Sequence, residues 1–142
     1  MRLFPSFLIS LLIVFSGCDN RPSVQWEKFT PENFLLAQQN QQPVFADFYA
    51  AWCGPCMIMK DTTFKDPRVI EALEPFMRLK ADLSFRESEY TYELSSQYQI
   101  DGLPTVIFFD YEGREIVRSH FVTASELINI INQYKSHLFP PS

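Results

Sequence analysis

Asp47-Phe48-Tyr49-Ala50-Ala51-Trp52-Cys53-Gly54-Pro55-Cys56 joins an apolar run to two cysteines with two residues between them. The apolar part, Val44–Tyr49, is short, aromatic and preceded by Pro43. It predicts a buried central strand with one carboxylate, Asp47, in its middle. From Cys53 to about Thr63 the residues suit a helix. Two intervening residues let one helical turn hold both sulfurs close. Cys53 then sits at the helix N-terminus, where unpaired amides and the helix dipole stabilise a thiolate. The expectation is a redox-active pair. Cys53 is exposed and acidic and attacks a partner disulfide, while Cys56 is more buried and resolves the mixed disulfide.

A structural disulfide and a metal knuckle are the competing readings. A structural metal site needs about four ligands. The chain has three cysteines and two histidines, and His120 and His137 share no ligand spacing with the pair. No metal and no cofactor is expected, and neither histidine is given a role. A disulfide spanning two residues closes too small a loop to stabilise much. Asp47 is costly in an apolar strand unless it is neutral or paired. Burial should raise its pKa and make it a proton acceptor for Cys56. The alternative is a carboxylate bonded to nearby backbone or facing water.

Outward from this stretch, strands alternate with helices. Thr30-Pro31-Glu32 opens a helix that runs to about Gln39, and Asp66-Pro67 caps a short one bearing Val69, Ile70 and Leu73. Phe76 to Leu83 reads as a strand, Glu87 to Tyr98 as a helix, and Thr105–Phe109 as a second buried strand. Tyr111-Glu112-Gly113 turns that strand into a hairpin through Ile116 and Val117. Thr123 and Glu126 form a capping box for a last helix, and Leu138 to Ser142 reads as a frayed end. The order implies an α/β three-layer sandwich, a central mixed sheet flanked by helices.

The length of 142 residues suits one domain, and 46% hydrophobic with 20% charged residues is ordinary globular material. A net charge of −5 and a pI near 5.0 argue against a nucleic-acid binder. Arg2, the apolar run Leu3–Phe15 and the small residues Ser16-Gly17 predict a secretory signal over residues 1–17. The run is short of the ~20 residues that span a bilayer. Asp19 to Gln25 reads as a polar tether. The expected division is 1–17 signal, 18–28 N-terminus and tether, 29–138 folded domain, and 139–142 tail.

Residues Val44 to Leu138 resemble the thioredoxin superfamily. The quoted stretch is close to that family's active-site strand and loop, and Gly102-Leu103-Pro104-Thr105 matches its cis-proline loop. Thr62-Thr63-Phe64, Asp66-Pro67 and Val69 are more similar to the C-terminal periplasmic domain of DsbD and to single-domain thioredoxin-like lipoproteins. The resemblance implies a thioredoxin-like fold and a cis Pro104 beside the dithiol. It implies that Leu103 offers backbone groups to a substrate strand, and that Trp52, Gly54 and Pro55 face substrate, Trp52 as a packing platform. It implies that Asp47 accepts the Cys56 proton. The DsbD domain has an acidic residue where this chain has Lys60.

Val14-Phe15-Ser16-Gly17-Cys18 resembles the lipobox of bacterial lipoproteins, which implies lipidation of Cys18 and membrane anchoring. Asp19 resembles the signal that keeps such proteins at the inner membrane. Together these imply a periplasmic, lipid-anchored thiol–disulfide oxidoreductase acting as a disulfide reductase. Its substrates would be protein thiols and disulfides, and a DsbD-type membrane carrier would supply its electrons. A monomer is expected. Alternatives are an oxidase or isomerase, a non-enzymatic thioredoxin-fold chaperone, and a Cu(I)-binding module using the soft thiolates.

Overall fold

The computed structural model of the chain describes residues 22–141. The expected signal segment, Cys18 and Asp19 lie outside the described residues. Five strands form one mixed sheet: β1 (Glu27–Lys28), β2 (Val44–Tyr49), β3 (Met77–Asp82), β4 (Thr105–Phe109) and β5 (Glu115–Ser119). Their order across the sheet is β1-β3-β2-β4-β5. β2 pairs in parallel with β3 and antiparallel with β4, so it sits at the centre. Its alternating side chains split between two apolar layers. Phe45 packs with Phe64, Phe76 and Phe108 beneath α2 (Gly54–Asp61), α3 (Pro67–Ala72) and α5 (Ala124–Leu138). Val44, Ala46 and Phe48 pack with Phe29 and Leu79 beneath α1 (Pro31–Gln39) and α4 (Glu89–Gln97). This is the expected three-layer sandwich.

The helix starts follow their caps. Thr30 accepts a hydrogen bond from the Asn33 amide, and Ser88 accepts one from the Thr91 amide. Thr123 and Glu126 make the reciprocal capping box of α5. The helix after Cys56 is shorter than the sequence suggests. It ends at Asp61, where the Thr62 hydroxyl bonds back to the Ile58 carbonyl, and a single 3₁₀ turn follows at Thr63–Lys65. The hairpin between β4 and β5 closes on Asp110, whose carboxylate accepts from the Glu112 and Arg114 amides and from Arg114 Nε. Gly113 takes the positive φ of 83° that the turn needs.

Both ends of the folded unit reach further than the sequence suggests. Val24, assigned to the tether, is buried, and its amide bonds the Phe64 carbonyl at 2.9 Å. Trp26 lies edge-on to Phe64 with centroids 5.0 Å apart, and β1 then pairs with β3. A two-residue strand carries no alternation to read, and its docking depends on Phe64, nearly forty residues away. At the other end Leu138 is fully buried and its carbonyl accepts from the Tyr111 amide, while Phe139 packs edge-on against Phe76. Leu138 and Phe139, expected in a frayed end, therefore belong to the packed unit. Leu138→Ala should lower the unfolding free energy by about 2–4 kcal/mol in urea titrations. A loss under about 0.5 kcal/mol would mean that the C-terminus is not part of the core.

Candidate active site

β2 delivers the chain to Cys53 beyond the C-terminal end of the central strand. Cys53 is the N-cap of α2 in extended backbone geometry, and its Sγ accepts a hydrogen bond from the Cys56 amide at 3.2 Å. Pro55 stands in the first turn of α2, where its missing N–H costs no helical bond. Cys53 and Cys56 are joined as a disulfide with their Cα atoms 5.3 Å apart. Once the disulfide is reduced, the same cap position presents the Cys53 sulfur to the positive end of α2, an arrangement that favours thiolate. Gly54 is exposed and a Cβ there would meet nothing within 4 Å, so neither space nor backbone conformation requires glycine at this position.

The exposure expected of Cys53 is not observed. Cys53 and Cys56 are 5% and 4% exposed, so both are buried. Tyr49, Met57 and Leu103 pack around them. The asymmetry between the two sulfurs comes instead from position: Cys53 caps the helix, and Cys56 lies inside its first turn.

The peptide bond from Leu103 to Pro104 is cis, and Leu103 packs into the same cluster as both cysteines. The loop before it is tied down by the Thr105 hydroxyl, which donates to the Gly102 carbonyl at 2.7 Å. His120, given no role from the sequence, brings its Nδ1 to 3.2 Å from the Pro104 carbonyl. The approach links β5 to the cis-proline loop across sixteen residues of chain. Lys60 is exposed in the last turn of α2.

Asp47 is buried, as its place in the strand predicts, but it is not isolated. β3 lies next to β2 in a register that sets Lys80 opposite Asp47, and Lys80 Nζ lies 3.4 Å from Asp47 Oδ2. Burial is the larger influence and pushes the Asp47 carboxyl up to about 6, with the Lys80 charge and hydrogen bond acting against it. Lys80 is itself held over the rings of Tyr49 and Trp26, at 4.4 and 5.0 Å from their centroids. Asp47 shares its face of β2 with Phe45, which packs in the layer under α2. The alternation of the strand thus turns Asp47 toward the helix that carries Cys56.

The loop before the dithiol is clamped by Ser84, just past the end of β3. The Ala51 amide donates to Ser84 Oγ at 2.7 Å, and Trp52 Nε1 donates to the Ser84 carbonyl at 3.0 Å. The Ser84 hydroxyl and amide both donate to Asp82. Desolvation pushes the Asp82 carboxyl up, but hydrogen bonds from Ser84 and Tyr49 outweigh it and hold it below the ordinary carboxylate range. Burial, with Asp82 as the next influence, pushes the Tyr49 hydroxyl up to about 12. Sequence reasoning missed Lys80, Ser84 and Asp82. The signal available was the charged alternation of Arg78, Lys80 and Asp82 with Met77, Leu79 and Ala81, which marks one face of the strand as polar.

Among the described residues, no group of three or more His, Cys, Asp or Glu could hold a metal ion. No helix among them is long and apolar enough to cross a membrane.

Residues 30–135 match the thioredoxin-like domain family. The thiol:disulfide interchange protein DsbD of Salmonella paratyphi A is 41% identical over 83 residues, which are 58% of this chain and 14% of that protein. This chain therefore spans a small part of the curated relatives it matches. The C-terminal domain of Neisseria meningitidis DsbD, in the oxidised form, superposes with a TM-score of 0.65 at 23% identity, covering 77% of this chain and 98% of that one. A thioredoxin from Thermus thermophilus superposes with a TM-score of 0.68 at 24% identity, covering 80% and 88%.

Raising the Asp47 pKa has a sign for stability. The folded value of about 6 lies above the reference of 3.8, so the folded state binds this proton more tightly than the unfolded chain does. The contribution is fully present below about pH 4 and is lost as the pH rises through about 6. Asp47→Asn cannot ionise there. It should be more stable than the parent by about 1–3 kcal/mol at pH 8, with the difference shrinking toward zero near pH 3, in urea titrations at both pH values. A pH-independent difference would show that Lys80 fully offsets the burial.

Proposed function

The chain belongs to the thioredoxin-like domain family, and we propose that it is a thiol–disulfide oxidoreductase working in the reducing direction on exported proteins. The observation that carries this reading is the Cys53 sulfur at the cap of α2, disulfide-bonded to Cys56, on the same side of the sheet as a buried carboxylate. In the reduced protein the Cys53 thiolate attacks one sulfur of a substrate disulfide, and the other substrate sulfur leaves as a thiolate. Asp47 takes the Cys56 proton. The Cys56 sulfur then attacks Cys53 Sγ, the Cys53–Cys56 disulfide forms, and the second substrate sulfur is released. Two electrons pass to the substrate in each cycle. Pro104 and Leu103 hold the substrate strand against the dithiol, with Trp52, Gly54 and Pro55 on the surface it meets.

The reducing direction is supported by the Gly54-Pro55 spacer, which thioredoxin shares, and by the buried Asp47. Thioredoxin sits near about −270 mV and the oxidant DsbA near about −120 mV. A periplasmic site of action is supported by the signal-like residues 1–17 and by the DsbD relatives. A reductase in that compartment needs recharging, and a DsbD-type membrane carrier is the donor we infer. Lipidation at Cys18 would hold the dithiol near such a carrier, and the lipobox-like Ser16-Gly17-Cys18 supports it.

Equilibration of Cys53–Cys56 against a dithiol redox buffer should give a reduction potential near about −270 mV. A value near about −120 mV would overturn the reducing direction. Insulin reduction driven by dithiothreitol should be readily measurable, and its rate should lose its inflection near pH 6 in Asp47→Asn. An unchanged pH profile in that variant would remove Asp47 from the proton path.

A further inference from the structure

Trp52 is half exposed beside the disulfide, and one face of its indole is covered by the Arg86 guanidinium, 4.2 Å from the ring centroid. The hydrogen bond from Trp52 Nε1 to the Ser84 carbonyl holds the indole at its edge, so Arg86 stacks on an anchored ring. Stacking orients a guanidinium but leaves its charge and its hydrogen-bond donors available. Arg68, Arg114 and Arg118 each pair with a carboxylate. Arg86 pairs with none among the described residues, although Glu87 follows it directly.

Below Arg86 lies a groove of about 340 Å³, running from Trp52 past Leu83 and Ile100 to Leu103. Leu103 also packs with Cys53 and Cys56, so one residue borders both the groove and the dithiol. Its apolar floor suits one aliphatic or aromatic side chain of an incoming polypeptide. Two charges stand at the groove, Arg86 and Asp101. Asp101 acts on Arg118 only as the smallest influence, after the Glu115 carboxylate that pairs with it. Arg86 is the cation of the two. The chain as a whole carries −5 and repels acidic partners at long range, which makes an exposed cation stacked on Trp52 a local exception.

We propose that Arg86 is a specificity residue of the dithiol site and favours protein disulfides whose attacked cysteine is flanked by acidic side chains. The proposal rests on the reductase reading above. Arg86 forms an ion pair with the flanking carboxylate in the encounter and mixed-disulfide states, while the neighbouring apolar side chain fills the groove.

The test uses two matched peptide disulfides, one with Glu on both sides of the attacked cysteine and one with Gln there. The wild-type protein is compared with Arg86→Met, which keeps an unbranched cover over the indole and loses the charge. A flanking Glu also raises the pKa of the leaving thiol and slows its departure. The readout is therefore the Glu/Gln ratio of kcat/KM in wild type divided by the same ratio in R86M. The expected quotient is about three, carried mainly by KM and falling toward one as salt is raised. A quotient of one at low salt, or an equal loss on both peptides in R86M, overturns the proposal and leaves Arg86 as a support for Trp52. A wild-type protein that reduces neither peptide overturns the reductase reading instead.

Discussion

The hydrogen bond from the Cys56 amide to Cys53 Sγ makes one sulfur serve two purposes. An N-cap ordinarily offers an oxygen to the free amides of the first turn. Here a thiolate-forming atom holds that place, so the start of α2 and the chemistry of the site are the same feature. The position of Pro55 follows, because the first helical turn tolerates the missing donor. The partner cysteine must then lie within the first turn. β2 matters because only three residues separate its end from the cap and it is fixed by pairing on both sides.

A buried carboxylate would ordinarily weaken such a strand. Asp47 is tolerated because β3 brings Lys80 alongside it and three aromatic rings surround the ammonium, Trp26, Tyr49 and Phe64. The pairing is incomplete compensation. Burial still outweighs Lys80, which leaves the carboxyl able to exchange a proton near neutral pH instead of locking it as an anion. The same balance lowers stability at neutral pH, a cost that functional sites commonly carry.

The surface around the dithiol is assembled from segments far apart in the chain. Ser84 fixes Ala51 and Trp52, Arg86 covers the indole, Leu103 closes over the sulfurs, and His120 approaches the Pro104 carbonyl. These contacts cross between strand ends, so the register of the sheet determines which side chains meet. A shift of one residue between β2 and β3 would take Lys80 off the face that holds Asp47.

The local pattern of the sequence was enough for the alternation of strands and helices, the caps at Thr30, Asp66 and Thr123, the central place of Val44–Tyr49, and the Cys53–Cys56 pair at a helix start. Each of these depends on neighbours within a few residues, where periodicity and capping chemistry act. The cis-proline loop was legible only through resemblance, since Gly102-Leu103-Pro104-Thr105 alone reads equally as a turn before a strand. Tertiary structure decided the rest. It buried Cys53 under Leu103 and Tyr49, gave Asp47 a cationic partner, docked Val24 and Trp26 on Phe64, and seated Leu138 and Phe139 in the core. In each case the deciding neighbour comes from another element, and only the folded sheet and its packed helices bring the two together. The dithiol was therefore written in ten consecutive residues, while the charge balance of Asp47 and the surface around the disulfide came from the fold.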